Sequence, residues 1–301
     1  MNAFPSPWTP LVDVATLARM LEHGDARLLD ARATASTAVR LLDARFALGD
    51  PHAGAAAYAQ GHLPGALQAD LDRDLADLGK PGQGRHPLPD SDAFAARLGA
   101  WGIGPETAVV VYDAGDGSMA AARAWWLLRL IGHARVAVLD GGLAAWQAAG
   151  LPLSTAVPEV TALPAYPGRF DPDQVASAEQ VQARIGGAPG GLLDARAGER
   201  FRGEVEPLDP VAGHVPGAVN RPFALNVDNG RLRPAAELRA ALQPLIGTHA
   251  PDDVVVMCGS GVTACHLLLA MEVAGLPGAR VYAGSWSGWV SDPARPVATG
   301  A

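Results

Sequence analysis

The chain repeats its own sequence in its two halves. Residues 28–32 (LLDAR) recur at 192–196, and residues 61–66 (GHLPGA) recur at 213–218 as GHVPGA, in the same order. The 301 residues are also enough for two domains of about 150 residues each. Because landmarks repeated in register are the signature of a duplicated unit, we expect two copies of one domain.

Each half has the pattern of an α/β domain, with a parallel sheet flanked by helices. Short runs rich in Val and Leu, such as 108–112, lack the alternation of a half-exposed strand, which is typical of strands buried on both faces. Residues 120–131 and 263–274 predict helices. Gly132 and Gly275 follow them, where a left-handed C-cap is expected. The alternation of strands and helices favours a parallel sheet in both halves.

A stretch rich in proline separates the two halves. Residues 151–170 contain four prolines and no clear hydrophobic period, which is typical of a linker. We therefore predict a first domain over residues 1–155, a linker over 156–170 and a second domain over 171–301.

The charge and hydropathy patterns exclude several kinds of partner. The net charge is -8 and no cluster of Lys and Arg could neutralise a row of phosphates, so we expect no nucleic-acid partner. The apolar segment 120–131 contains Arg123 and Arg129 and is shorter than the roughly 20 residues of a membrane span, so we expect no membrane partner. The first 13 residues lack the pattern of a secretory signal, which favours a cytoplasmic location.

The sequence contains no pattern that predicts a bound metal or cofactor. No Cys and His residues have the spacing of metal ligands, and no glycine-rich fingerprint for nucleotide phosphates is present. The two cysteines, Cys258 and Cys265, are too few for a disulfide framework. Each of them therefore needs a chemical or a packing explanation.

Cys258 stands where a reactive thiol is expected in an α/β fold. The buried strand predicted over 254–257 delivers it to the carboxyl end of the sheet, which is the edge where such folds bind ligands. Gly259 and Gly261 follow, and a helix begins near Thr263. Glycines let successive N–H groups turn inward at the positive end of a helix, which makes a cradle for an anion. We therefore predict that Cys258 is a nucleophile that reacts as the thiolate.

Other reactive residue types have simpler explanations. Cys265 lies two turns into the predicted helix among apolar neighbours, which favours packing, with a role as resolving thiol as the alternative. His62 and His214 belong to the motif that both halves share, so we expect them to hold a turn before the next strand. Trp286 and Trp289 either line the site or pack in the core, and the sequence leaves both possibilities open.

The loop 258–263 (CGSGVT) resembles that of the two-domain rhodanese family, in particular its 3-mercaptopyruvate sulfurtransferase branch. The resemblance covers nearly the whole chain and includes both copies of the repeated motifs. It implies two tandem rhodanese-like domains. Asp113 stands at the position that matches Cys258, and a carboxylate cannot accept sulfur to form a persulfide. The first domain is therefore expected to be the inactive copy and the second the catalytic one.

The resemblance also implies a relay of three residues beside the nucleophile. In the mercaptopyruvate branch, an Asp and a His from the first half are proposed to act with the loop serine. In this sequence the matching residues are Asp72, His86 and Ser260. The spacing between Asp72 and His86 is longer than is usual in the family. The alternative for His86, between an arginine and a proline, is a solvated loop residue.

The resemblance further implies that Arg200 binds the anionic group of the substrate, a role that suits the forked guanidinium. The loop residues Gly259, Gly261, Val262 and Thr263 are expected to bind the transferred sulfur through their backbone. One departure stands out. Relatives specific for mercaptopyruvate carry a second arginine shortly before the GHxPGA motif, and no arginine stands in residues 206–212 here.

By this resemblance the chain is expected to move a sulfane sulfur from 3-mercaptopyruvate to an acceptor through a persulfide on Cys258. The acceptor is expected to be thioredoxin, a low-molecular-weight thiol or cyanide. Two alternatives remain: a thiosulfate:cyanide sulfurtransferase, and a relay module that passes sulfur between proteins. A cysteine phosphatase is disfavoured, because such enzymes need an arginine at the sixth position after the cysteine, and that position is Ala264.

Overall fold

A computed structural model describes residues 9–23 and 39–300 and divides them into two compact units. The segment 77–88 comes from the first half of the sequence but belongs to the unit formed by the second half. The first unit comprises residues 9–23, 39–76 and 89–171, and the second unit comprises 77–88 and 172–300.

The first unit contains a five-stranded parallel sheet, and helices connect its strands along the sequence, as predicted. Its elements are β1 (Leu11–Val12), α1 (Val14–His23), β2 (Val39–Asp43), α2 (Ala53–Gln60), β3 (Ala66–Gln68), α3 (Leu71–Asp74), α4 (Ser91–Ala100), β4 (Ala108–Tyr112), α5 (Ala120–Leu130), β5 (Val136–Leu139) and α6 (Gly142–Ala148). The strand order is β1-β5-β4-β2-β3.

The second unit has a four-stranded parallel sheet and a separate antiparallel strand pair. Its elements are α7 (Ala178–Gln182), β6 (Leu192–Asp194), α8 (Gly198–Phe201), β7 (Val219–Asn220), β8 (Val227–Asp228), β9 (Arg231–Leu232), α9 (Ala235–Ile246), β10 (Val255–Met257), α10 (Thr263–Val273), β11 (Arg280–Val281) and α11 (Ser285–Trp289). The order of the large sheet is β11-β10-β6-β7, which places β10 inside it.

The central strands and the helices that follow them are buried because their sequences are apolar on every side. Every residue of β4 and of β10 is buried, and so are most residues of α5 and α10. Both helices end before glycines with left-handed backbone, Gly132 at φ +86° and Gly275 at φ +70°, as predicted. Within the described ranges, no helix combines the length and the apolar character that crossing a membrane would require.

The same backbone hydrogen bonds recur in the two units and define which residues correspond. In the first unit, Leu143 N–H donates to the carbonyl of Asp113 at 3.0 Å. In the second, Trp286 N–H donates to the carbonyl of Cys258 at 2.9 Å. Asp113 therefore stands at the end of β4 as Cys258 stands at the end of β10, which is the correspondence expected from the sequence.

One part of the predicted repeat needs correction. Residues 28–32, which we matched to 192–196, lie outside the described residues. The same five letters occur again at 41–45, and that copy runs through β2, paired with β3 and β4. Its Asp43 and Arg45 form an ion pair at 2.6 Å, and the corresponding pair within 192–196 lies at 2.7 Å. The structural counterpart of 192–196 is therefore 41–45.

The histidines of the repeated motif hold turns before strands, as predicted. The His62 ring contacts the carbonyl of Tyr58 through Nδ1 at 2.9 Å and stacks on the Tyr58 ring at 3.9 Å. The His214 ring contacts the carbonyl of Phe201 through Nδ1 at 2.8 Å and stacks on its ring at 3.8 Å. Both histidines are buried, and β3 and β7 begin within a few residues.

Candidate active site

Cys258 lies directly after β10, at the carboxyl edge of the second unit's sheet, and is 2% exposed. Its Sγ accepts a hydrogen bond from the backbone N–H of Gly261 at 3.1 Å. The backbone N–H of Cys258 donates to Ser285 Oγ at 3.1 Å, and Ser285 Oγ lies 4.0 Å from the sulfur. The Ser285 hydroxyl in turn donates to the carbonyl of Tyr282 at 2.9 Å. The thiol is thus held at a fixed position from two sides.

The loop after Cys258 has the backbone of an anion cradle, and binding of the transferred sulfur by Gly259, Gly261, Val262 and Thr263 stays a prediction. Gly261 has φ +80°, and a Cβ there would collide with the carbonyl of Ala283, so only glycine fits. Within the described chain, Gly261 N–H is the single backbone amide bonded to the sulfur. Val262 and Thr263 begin α10, whose positive end lies at this loop. The sulfur thus receives one direct N–H hydrogen bond and lies at the N-terminal end of α10.

The segment 77–88 is fastened to α11 and the turn after it. The backbone N–H of Arg85 donates to Ser287 Oγ at 2.9 Å. The Ser291 hydroxyl donates to the carbonyl of Gly82 at 3.0 Å. These bonds bring residues from the first half of the sequence to the loop that carries the candidate nucleophile.

His86 and Ser260 form a buried pair beside Cys258. The Ser260 Oγ and His86 Nδ1 share a hydrogen bond of 2.9 Å, and the two residues are 8% and 4% exposed. His86 is therefore not a solvated loop residue. Asp72 lies on α3 of the first unit, where burial and the neighbouring charge of Asp70 raise its pKa. A relay role for Asp72 stays a prediction.

Arg200 lies on α8 and is held by two carboxylates from the segment that follows. Its Nη2 donates to Glu206 Oε1 at 2.6 Å and to Asp209 Oδ2 at 3.2 Å, and its Nε also donates to Glu206. Burial alone would raise the pKa of Glu206. Hydrogen bonds from Arg200 and from the backbone N–H of Leu208 outweigh that effect and hold this pKa below its ordinary value. Glu206 is therefore a carboxylate at neutral pH.

A second arginine reaches the same place from the segment 77–88. Arg85 Nη1 donates to Asp209 Oδ1 at 2.8 Å. A Cβ on Gly259 would lie 3.3 Å from Arg85 Nη2 and 3.4 Å from Arg200 Nη1. Two guanidinium groups thus flank the residue next to Cys258. The sequence showed no second arginine before the GHxPGA motif, and the structure brings Arg85 to that stretch instead.

No function for Arg85, Glu206 or Asp209 followed from the sequence. The available signal for Arg85 was its place next to His86 in a segment already expected to reach the site. Glu206 and Asp209 lie in the stretch where an arginine was expected, and their carboxylates gave no comparable signal.

The remaining candidates pack in the core of the second unit. Trp286 and Trp289 are fully buried, and their Nε1–H groups donate to the carbonyls of Val211 and Pro296. Packing is therefore the better of the two alternatives for both tryptophans. Cys265 is also fully buried, and its thiol lies 3.1 Å from the carbonyl of Gly261.

The corresponding loop of the first unit holds a buried carboxyl group of its own, that of Asp113. The Asp113 carboxylate accepts hydrogen bonds from the backbone N–H groups of Gly115 at 3.1 Å, Gly117 at 3.0 Å and Met119 at 3.3 Å. Burial raises the pKa of Asp113 even though these three bonds oppose the shift. The amides of this loop are thus already bonded to a side chain of the first unit, and the inactivity of this unit stays a prediction.

The family model and the similar proteins that follow all point to one family. A model of the rhodanese-like domain matches residues 13–149 and 177–292. A Pseudomonas aeruginosa protein provisionally named 3-mercaptopyruvate sulfurtransferase is 51% identical over 264 residues, covering 86% of this chain and 92% of its own. A Mycobacterium tuberculosis protein provisionally named thiosulfate sulfurtransferase is 41% identical over 297 residues, covering 96% and 97%.

Solved structures agree with these relatives. The Escherichia coli 3-mercaptopyruvate sulfurtransferase structure superposes with a TM-score of 0.74 at 33% identity, covering 93% of this chain and 99% of that one. The 3-mercaptopyruvate sulfurtransferase from Leishmania major gives a TM-score of 0.78 at 28% identity, covering 95% and 75%.

Proposed function

Because this chain belongs to the rhodanese family, we propose that it is a sulfurtransferase that takes sulfur from 3-mercaptopyruvate onto Cys258 and passes it to a thiol. The observation that carries the proposal is the position of the Cys258 thiol. It lies at the positive end of α10, in contact with the Gly261 N–H and beside a hydrogen-bonded Ser and His pair. This arrangement favours a sulfur anion and offers a proton donor to a leaving group.

In the first half-reaction, the Cys258 thiolate attacks the sulfur of the donor. A sulfur–sulfur bond forms and the carbon–sulfur bond of the donor breaks. The bonding electron pair goes to the donor carbon and gives the enolate of pyruvate. The Ser260 hydroxyl supplies the proton that converts the enolate to pyruvate, and His86, at 2.9 Å, replaces it. Gly261 N–H stabilises the Cys258 thiolate. After the transfer, the outer sulfur of the persulfide carries the negative charge, and the backbone N–H groups of residues 259–263 stabilise it.

The arginine pair, Arg85 and Arg200, binds the carboxylate of the donor in this proposal. Their Nη2 and Nη1 groups lie near Gly259, the neighbour of the nucleophile. A carboxylate held by two guanidinium groups is fixed in orientation as well as position. The donor sulfur can then lie against Cys258 while its carboxylate stays on the arginine pair.

In the second half-reaction, a thiolate acceptor attacks the outer sulfur of the persulfide. The new sulfur–sulfur bond forms on the acceptor, and Cys258 leaves as the thiolate that began the cycle. A dithiol such as thioredoxin then closes to its disulfide and releases hydrogen sulfide, whereas cyanide would leave as thiocyanate. We place the reaction in a reducing cytoplasm, because it consumes thiols and both cysteines are free thiols.

Thiosulfate is the alternative sulfur donor. Thiosulfate carries a sulfonate-like group, and a pair of arginines could hold its oxygens. The Mycobacterium tuberculosis relative carries a provisional name of that kind. When thiosulfate is the donor, the leaving group is sulfite, which needs no proton.

The test is steady-state turnover with 3-mercaptopyruvate and thiosulfate in parallel, with cyanide and a dithiol as acceptors. We expect a higher kcat/KM with 3-mercaptopyruvate, because only this donor uses the Ser260 and His86 pair. A higher kcat/KM with thiosulfate would identify the second donor as the physiological class. No turnover with either donor would refute the small-molecule enzyme and favour transfer between proteins.

Ser260→Ala is expected to separate the two donors. With 3-mercaptopyruvate we expect kcat to fall about 10²-fold, the usual range for loss of a proton donor, because the enolate is no longer protonated. With thiosulfate we expect little change. Measuring kcat with both donors on one preparation makes the thiosulfate reaction the control for folding. An equal loss with both donors would contradict the proposed role of Ser260.

Arg85→Ala is expected to weaken donor binding as much as Arg200→Ala does. Each variant removes one guanidinium beside Gly259, so we expect KM for 3-mercaptopyruvate to rise about tenfold or more in each. The measurement is KM and kcat for both variants and for Arg202→Ala as control, because Arg202 is exposed and pairs with Glu204. A KM unchanged in Arg85→Ala would remove Arg85 from the donor site.

A further inference from the structure

Asp209 joins the two arginines of the arginine pair. Its Oδ1 accepts a hydrogen bond from Arg85 Nη1 at 2.8 Å, and its Oδ2 accepts one from Arg200 Nη2 at 3.2 Å. The Asp209 side chain is 3% exposed, so solvent screens these contacts weakly. One buried carboxylate therefore sets the separation and orientation of two guanidinium groups that are far apart in the sequence.

The charges around the arginine pair cancel. Arg85 and Arg200 carry two positive charges, and the buried Glu206 and Asp209 carry two negative charges. Arg196, whose guanidinium lies 3.6 Å from Glu206, has its own buried carboxylate partner at 2.7 Å. The site therefore provides directed N–H donors without a net positive charge.

The carboxylates bond to one side of each guanidinium group, through Nη1 of Arg85 and through Nε and Nη2 of Arg200. In residues 9–23 and 39–300, no acceptor bonds to Arg85 Nη2 or to Arg200 Nη1. These are the two groups nearest the Cβ position of Gly259. An incoming donor therefore meets two N–H groups whose directions are already fixed, that of Arg85 by Asp209 and that of Arg200 by Glu206 and Asp209.

Such a site treats anions of different charge differently. The cost of removing an ion from water grows with the square of its charge, whereas its attraction to the site grows only in proportion to the charge. Because the four side chains carry no net positive charge, the free-energy cost of removing a dianion from water exceeds its attraction to the arginine pair. The 3-mercaptopyruvate carboxylate brings one negative charge, because its thiol is mostly protonated at neutral pH, and thiosulfate brings two.

We propose that Asp209 positions the arginine pair and, by cancelling its charge together with Glu206, selects donors with one negative charge over donors with two. The inference rests on the proposed function and names the donor class of the same site: a monoanionic carboxylate rather than a dianionic sulfur oxyanion. Asp209 is a positioning residue, because it acts through Arg85 and Arg200.

The test compares Asp209→Asn with the unchanged protein through the ratio of kcat/KM for 3-mercaptopyruvate to that for thiosulfate. The substitution keeps the shape of the side chain and removes one negative charge. We expect the ratio to shift about tenfold toward thiosulfate at low ionic strength, mainly through KM. The shift should shrink as salt is added, because salt screens a charge effect. A loss of positioning alone would lower both kcat/KM values together and leave the ratio unchanged.

Two further variants make the result decisive. Glu206→Gln removes the other buried negative charge and should shift the ratio in the same direction, which also covers the case in which Asp209→Asn does not fold. Glu204→Gln is the matched control. It removes the same charge from the same loop, but Glu204 pairs with the exposed Arg202, so we expect no shift.

The outcomes separate this inference from the proposed function. Failure of the unchanged protein to turn over either donor refutes the proposed function. An active protein whose donor ratio stays the same in Asp209→Asn and in Glu206→Gln overturns only the selection by charge. A shift in Glu204→Gln equal to that in the other two would assign the effect to net charge rather than to the site, and would also overturn it.

Discussion

Cys258→Ser is expected to abolish sulfur transfer, with kcat at least about 10³-fold lower with every donor, while the fold stays intact. A hydroxyl in place of the thiol cannot accept sulfur to form a persulfide. The bonds that fix this residue in the chain are backbone bonds, to Ser285 Oγ and from Trp286 N–H, and the substitution leaves them in place. The measurements are turnover with both donors and the urea midpoint of the variant.

Cys265→Ala is the matched control, since the chain has two cysteines. Cys265 is fully buried in α10, and its thiol contacts a backbone carbonyl. We expect this variant to retain transfer, with some loss of stability from the small cavity. If turnover survives in Cys258→Ser and disappears in Cys265→Ala, Cys265 is the nucleophile and the proposed mechanism is contradicted.

Arg196→Met is expected to destabilise the protein by about 3–5 kcal/mol, the usual cost of leaving one partner of a buried ion pair alone. Arg196 and Asp194 have side chains 1% and 0% exposed and meet at 2.7 Å. Arg196 also donates to the carbonyl of Gly213 at 2.8 Å, and its guanidinium lies 4.5 Å from the ring of Trp286. The substitution leaves a buried carboxylate and a carbonyl without their partner. Urea unfolding measures the change.

The double variant Asp194→Leu with Arg196→Met tests the cause of that loss. Removing both charges leaves no unpaired ion, so we expect it to recover a large part of the stability lost in the single variant. A single variant within about 1 kcal/mol of the unchanged protein would show that the ion pair contributes little. A double variant as unstable as the single one would assign the loss to packing around Trp286 rather than to charge.

Features that depend on local sequence were predictable, and contacts between distant segments were not. The buried strands, the helices after them and their terminal glycines followed from apolar runs and from Gly132 and Gly275. The position of Cys258 followed because a strand, a glycine loop and a helix are consecutive in the chain. The contact of Arg85 with Asp209 was not predicted, because it depends on the segment 77–88 packing against α11. Arg85 and Ser287, which bond to each other there, are 202 residues apart in the sequence.

Two other differences have the same origin. The match of 28–32 to the second half used five letters that occur twice in the first half, and only strand pairing distinguishes the copy at 41–45. The second arginine was considered missing because no arginine stands at its expected place in the sequence, in residues 206–212. A guanidinium can reach that place from another segment, and Asp209 is the residue that receives it.

The most direct test of the central claim is the mass of the protein after incubation with 3-mercaptopyruvate in the absence of an acceptor. We expect the mass to rise by one sulfur atom, the added sulfur to map to the peptide segment around Cys258, and a dithiol to remove it. Protein that gains no sulfur, or that carries it on Cys265, would contradict a mechanism that proceeds through a persulfide on Cys258.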